Sequence, residues 1–213
     1  MSLDDLVGFG PFFAMAEHDS VIAPWQPMLD LVDEPKVLEV RVNRVREALS
    51  ASGGGVEVEA RVAASVAHLG LVARLLAPTI GAAALGQSVS WSLSDLAWQD
   101  KLGGPYPLSV AVRRRGGPPA FEALTEAFIP FGVSAKVLWG NVGSAINSGV
   151  MQIARVRPEL FDAARTAADA MLADQRIDGG ALRSGPAFRR ASCCLIYRLG
   201  DRSACCGDCV LTR

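Results

Sequence analysis

Every cysteine in this chain falls in one terminal segment. Cys193, Cys194, Cys205, Cys206 and Cys209 lie within FRRASCCLIYRLGDRSACCGDCVLTR, residues 188–213, and the preceding 187 residues contain none. Random scatter rarely does this. The clustering therefore constrains the fold strongly: the rest of the chain must offer a platform on which these thiols can meet. Thiolates serve three common ends in proteins, namely disulfides, zinc sites and iron–sulfur clusters.

The expected compartment narrows the choice. The N-terminus, MSLDDLVGFGPFFAMAEHD, carries acids where the basic region of a secretory signal would sit. The longest uncharged run, Leu75 to Leu93, contains Pro78, Gln87 and several serines, and reads as buried helix plus loop. The expected location is cytoplasmic, with no membrane span and with peripheral association left open. Thiols stay reduced there, which disfavours a disulfide framework and favours metal.

Length and composition allow the platform. With 213 residues, 50% hydrophobic and 20% charged, the chain can bury a core without metal. A net charge of −1 gives no basic footprint for nucleic acid or an anionic membrane.

The apolar spacing is mainly helical. Leu3, Leu6, Val7, Phe12 and Phe13 suggest a first helix over 3–17. Prolines 24, 27 and 35 make 21–35 an irregular packed loop. Leu38, Val42, Val45 and Leu49 predict a surface helix over 38–50, ended by Gly53, Gly54 and Gly55. That glycine triplet lacks the preceding strand and the Lys-Ser or Lys-Thr of a phosphate loop. Val58, Val62, Val66, Leu69, Val72 and Leu76 predict a long helix over 57–77, continuing past Pro78 to a stop at Gly86. His68 lies near its inward face and reads as a core or interface histidine.

Short strands are expected at 89–93 and 108–112, paired as a small sheet, with Trp91 and Trp98 in the core. Arg113, Arg114 and Arg115 read as a solvated turn. Helices follow over 120–128, 133–155 and from Pro158 to about Gln175. Gly140, Gly143 and Gly149 sit at spacings that admit a neighbouring backbone closely, and Asn141 reads as structural. The expected fold class is mainly α (α+β), a helical body over 1–186 with a small β element. Residues 187–213 form a cysteine-rich segment packed on that body, not an independent domain.

Cys206-Gly207-Asp208-Cys209 is a CxxC, whose tight turn aims two thiolates at one metal. Cys193-Cys194 is an adjacent pair, less usual for structural zinc, where two to four residues intervene. Two pairs of thiolates suit a [2Fe–2S] rhomb, four sulfurs shared between two irons. Zinc and thiol redox chemistry remain alternatives, although no thioredoxin-like βαβ context surrounds the CxxC.

RRASCCLIYRLGDRSACCGDCVLTR resembles the C-terminal motif of the FhuF-like ferric-siderophore reductases. In that family, Cys-Cys, ten residues and then Cys-x-x-Cys hold a [2Fe–2S] cluster. Tyr197-Arg198 and the CGDC at 206–209 carry the likeness, with weaker support from LWGN at 138–141. The resemblance implies that Cys193, Cys194, Cys206 and Cys209 bind the cluster. One departure concerns the spacing: eleven residues, 195 to 205, lie between Cys194 and Cys206. Taking Cys205 instead restores ten but leaves three residues before Cys209. Cys206 keeps the CGDC turn, and an extra residue in the 200–204 loop is easily accommodated.

The resemblance further implies an oxidoreductase acting on metal ions. It would reduce Fe(III) in a ferric siderophore to Fe(II) and so serve iron homeostasis. Without a dinucleotide fingerprint, electrons would come from a separate reductase or small carrier. Arg189, Arg190, Arg198 and Arg202 flank the cysteines, either as carboxylate partners or as charges that steady the site. The alternative functions are a non-enzymatic [2Fe–2S] electron carrier or sensor, and a zinc-stabilised interaction module.

Overall fold

The computed structural model describes residues 2–113, 115–200 and 205–211. Its elements, in chain order, are α1 (Asp4–Val7), β1 (Ala16–His18), β2 (Gln26–Pro27), α2 (Asp30–Asp33), α3 (Pro35–Ser52) and α4 (Ala60–Ala84). Then come β3 (Leu96–Trp98), β4 (Leu108–Ala111), α5 (Ala120–Ala127), α6 (Ala135–Val156) and α7 (Phe161–Leu172). The fold is mainly α with a small sheet.

Helix α4 is the axis. Its sequence carries only two arginines, Arg61 and Arg74, amid apolar and small residues, so it can be covered on most sides. Helices α3, α5, α6 and α7 all pack against it. By length and composition α4 is also apolar enough to cross a membrane, but 67% of its most apolar window is buried within the protein. Pro78 is tolerated inside it, and Gly86, at φ +77°, ends it. There the amides of Gly86 and Gln87 reach back to the carbonyls of Ala83 and Ala82, both at 2.9 Å, in a Schellman arrangement.

The α4–α6 contact depends on small residues. A Cβ at Gly149 of α6 would lie 3.0 Å from Ile80 Cδ1, so the glycine lets the helices approach. Ser134 caps α6 by accepting the Val137 amide.

Three expectations are corrected. The first helix is only one turn: Gly8 and Gly10-Pro11 break it, and residues 16–18 instead join the sheet. Phe9 and Phe13 still bury, stacked on α4 at Gly81, where a Cβ would meet Phe13 Cδ1 at 2.9 Å. Phe12 and Val7 are exposed. Residues 89–93 form no strand. Asp95 accepts from the hydroxyl and amide of Ser92, holding 93–95 in a 3₁₀ turn, and the strand starts at Leu96. The last long helix begins as a 3₁₀ turn at Pro158–Leu160 and ends at Leu172.

The sheet runs β1-β4-β3-β2, with β1 parallel to β4 and the other pairs antiparallel. Trp91 and Trp98 are buried as expected, and Arg113 and Arg115 are exposed, while Arg114 lies outside the described residues. Arg74 fastens the sheet side to α4. Its buried guanidinium donates to the carbonyls of Tyr106 at 3.0 Å, Phe12 at 2.8 Å, and Ala14.

Candidate metal centre

The cysteine segment has little regular structure, so the body has to position it. Three side chains from α4 and α6 do so. Ser65 donates its hydroxyl to the Cys194 carbonyl at 2.9 Å. Asn141 donates to the carbonyl and hydroxyl of Ser65, at 3.1 and 3.2 Å. Ser144 donates to the Asp208 carboxylate inside the CxxC turn. Gly140 clears the floor: a Cβ there would fall 1.9 Å from Ser192 Oγ and 2.8 Å from a nitrogen of Arg190.

This scaffold brings the two cysteine pairs together. Cys194 Sγ lies 3.3 Å from Cys206 Sγ. Cys205 and Cys209 interact with each other, and Cys193 and Cys209 are near enough to raise the cost of a second negative charge. The CxxC closes as a turn, with the Cys209 amide on the Cys206 carbonyl at 3.0 Å. All five cysteines are free of disulfides, and Cys194 and Cys209 are buried. Among the described residues, no three or more His, Cys, Asp and Glu groups gather round a single point suited to one ion.

Backbone amides point at the sulfurs. Leu195 N–H donates to Cys193 Sγ at 3.3 Å, and Leu211 N–H to Cys209 Sγ at 3.4 Å. The Ile196 amide supports Cys194 in the same way. Leu195 adopts φ +68°, unusual for a branched residue, and this left-handed turn lets the chain fold its amides back onto the vicinal pair.

The hydrogen bond shared with Cys206 pulls the Cys194 pKa down; the Ile196 amide and the Arg190 charge assist, against burial. Cys206 is pushed up as the partner that keeps its proton. Burial raises Cys193, opposed by the Leu195 amide. The pair therefore favours one negative charge over two.

Beside the thiols lies a cavity of about 520 Å³. Its walls come from both halves of the molecule: Phe9, Phe12 and Phe13 on one side, Cys206, Gly207 and Asp208 on the other. Ser148 and Gln152 of α6 add polar edges to a mainly apolar lining.

All four residues expected as ligands, Cys193, Cys194, Cys206 and Cys209, are thus brought into one neighbourhood, with Cys205 beside them. His68 is fully buried, 3.1 Å from Thr125 Oγ1, as a core histidine. Asn141 is structural, through Ser65. The flanking arginines separate. Arg189 is exposed, Arg198 pairs with Glu59, and Arg190 is buried. Arg202 and residues 201–204 of the expected insertion lie outside the described residues. Sequence reasoning missed Ser65, which sits unmarked in the run VAASVAH, and the wall formed by residues 9–13. The FGPFF pattern, with its breaker between aromatic residues, was the available signal for that wall.

Neither protein-family models nor curated proteins give a match to the chain.

Proposed function

We propose that the chain is a cytosolic ferric-siderophore reductase that holds a [2Fe–2S] cluster through Cys193, Cys194, Cys206 and Cys209. The observation that carries this reading is the Cys194–Cys206 approach of 3.3 Å beside the cavity, with amides donated to the sulfurs at 193 and 209. The donor set fits the group. Four thiolates in two pairs can hold the two irons of a [2Fe–2S] rhomb. Amides aimed at sulfur are a known means of tuning such clusters.

The cluster, when bound, would supply one electron per turnover. The substrate is Fe(III) held by hard oxygen ligands such as hydroxamates. These bind Fe(II) far more weakly, so one-electron reduction releases the metal. The protein's own residues do the rest. Phe9, Phe12 and Phe13 give the cavity beside the thiols an apolar wall. Ser144 fixes the Asp208 carboxylate, and with it the CxxC turn. The cavity volume is in the range that suits a small-molecule ligand. Electrons come from a separate reductase or carrier, with no nucleic acid partner. The cysteine segment packs on the helical body through Ser65 and Ser144, and α4 serves as its core helix and not as a membrane span.

Anaerobic purification followed by absorption spectroscopy and iron and sulfide analysis tests the cluster. A colourless protein with zinc and no iron would refute it. Reduced protein is then mixed with a ferric hydroxamate siderophore and an Fe(II)-selective chelator. Reoxidation of the cluster with Fe(II) capture is expected. A reduced cluster that stays reduced leaves a carrier or sensor in place of a reductase.

A further inference from the structure

Arg190 is a cation buried to 1% exposure. Its Nε donates to the Ser192 carbonyl at 2.6 Å, and one terminal nitrogen reaches Val137 O at 3.2 Å and Ser192 Oγ at 3.3 Å. The other terminal nitrogen, Nη1, is buried with no hydrogen-bond partner. Among the described residues no carboxylate pairs with this guanidinium, whereas Arg189 is exposed and Arg198 pairs with Glu59. A buried charge without a counter-charge is costly, and one side chain partly hydrogen-bonded to neutral carbonyls does not offset that cost.

Its position shows what the charge faces. The Ser192 carbonyl belongs to the peptide that leads into Cys193. The Arg190 main-chain amide donates to the Asp208 carbonyl at 3.3 Å, in the peptide that leads into Cys209. The residue therefore braces one peptide beside each cysteine pair, with its unpaired N–H groups in the same buried layer. Gly140 preserves the space that the guanidinium occupies. Four thiolates around a cluster would add negative charge to a layer that already holds the Asp208 carboxylate, and the Arg190 guanidinium is the buried cation beside them.

We infer that Arg190 is the counter-cation of the cysteine site, a positioning residue that balances the charge of the cluster-bearing thiolates and raises the reduction potential there. The inference rests on the cluster assignment proposed above. Adding an electron to an already anionic centre is easier beside a fixed positive charge, so the charge acts on the reduced form more than on the oxidised form. A role limited to the bonds with the Ser192 and Val137 carbonyls would act differently: it would hold the loop in place without adding charge to the site.

The test is a reductive titration of the loaded protein, followed optically, for the wild type, Arg190→Lys and Arg190→Gln. Arg190→Met keeps the aliphatic stem and replaces Gln if that variant does not fold. The neutral variants are expected to need at least a tenfold higher reduced-to-oxidised driving ratio, which is 59 mV for one electron. Lys is expected to stay near the wild type. Retention of the cluster in Lys with its loss in both neutral variants would also support a charge role. An unshifted potential in a neutral variant, or cluster loss in Lys as well, would overturn it. A wild type without cluster absorbance would bring down the parent assignment and this inference together; a normal wild type with an indifferent Gln variant would sink the inference alone.

Discussion

Ser65 Oγ donates to the carbonyl of Cys194 across 129 residues of sequence, at 2.9 Å and out of contact with solvent. The bond joins the middle of α4 to the vicinal cysteine pair. It places an irregular segment on the core helix of the body, and Asn141 of α6 holds Ser65 in turn. The α4–α6 packing thus helps to order the site.

Gly140 is where that packing is tightest against the tail. Gly140→Ala would push a methyl group into Ser192 Oγ, 1.9 Å from the ideal Cβ. Overpacking of this kind costs about 1–3 kcal/mol. Helical content should survive, while cluster incorporation falls several-fold. Circular dichroism together with iron content per chain checks this. Full iron occupancy in the variant would show that the tail tolerates displacement.

The ligand choice is tested by serine substitution. Cys206→Ser should abolish the cluster spectrum, because Cys206 lies against Cys194. Cys205→Ser should keep it, with at most a change in stability of the centre. The reverse pattern would assign Cys205 as the third ligand.

His68 predicts a pH dependence. Burial, and then the Arg190 charge, hold its pKa down to about 3, against 6.5 for the ordinary group. The folded state thus favours neutral imidazole. The contribution is complete above pH 6.5 and drains away as the pH falls, because the unfolded chain takes up the proton first. The slope is at most about 1.4 kcal/mol per pH unit. Chemical denaturation between pH 6.5 and 5, above most carboxylate titrations, should show a shallower slope in His68→Gln. Parallel slopes would remove His68 from the account.

Arg74 should matter far from the site. Arg74→Met leaves the carbonyls of Tyr106, Phe12 and Ala14 without their donor. A loss of about 2–4 kcal/mol is expected, as for removing several hydrogen bonds to a charged group. Because Phe12 is one of the released residues, the aromatic wall of the cavity should loosen too. Thermal melting measures the first effect, and proteolysis near residues 9–14 measures the second.

Much of this was legible from spacing. Helix α3 stood out because Leu38, Val42, Val45 and Leu49 recur every three or four positions, although Pro35, read as part of the preceding loop, is its first residue. The glycines of α6 announced close approaches, and the clustered cysteines announced their own meeting. The sheet was harder to read. Its strands are two to four residues long, and the β1–β4 pair joins Ala16 to Ser109, a register no local pattern encodes. The 89–93 strand failed because a Ser92–Asp95 side-chain bond outweighed β propensity. Arg190 could not be separated from Arg189 by sequence, since burial of one neighbour and exposure of the other depends on which way an irregular segment faces α6.

The cavity also carries a consequence for biosynthesis. Its aromatic wall, residues 9–13, leaves the ribosome early, while its thiol wall, residues 206–208, emerges after every helix of the body. A nascent chain therefore presents Phe9, Phe12 and Phe13 with no opposite wall until synthesis is nearly complete. Under the proposed function, cluster insertion and ligand capture would both wait for the last cysteines to be translated.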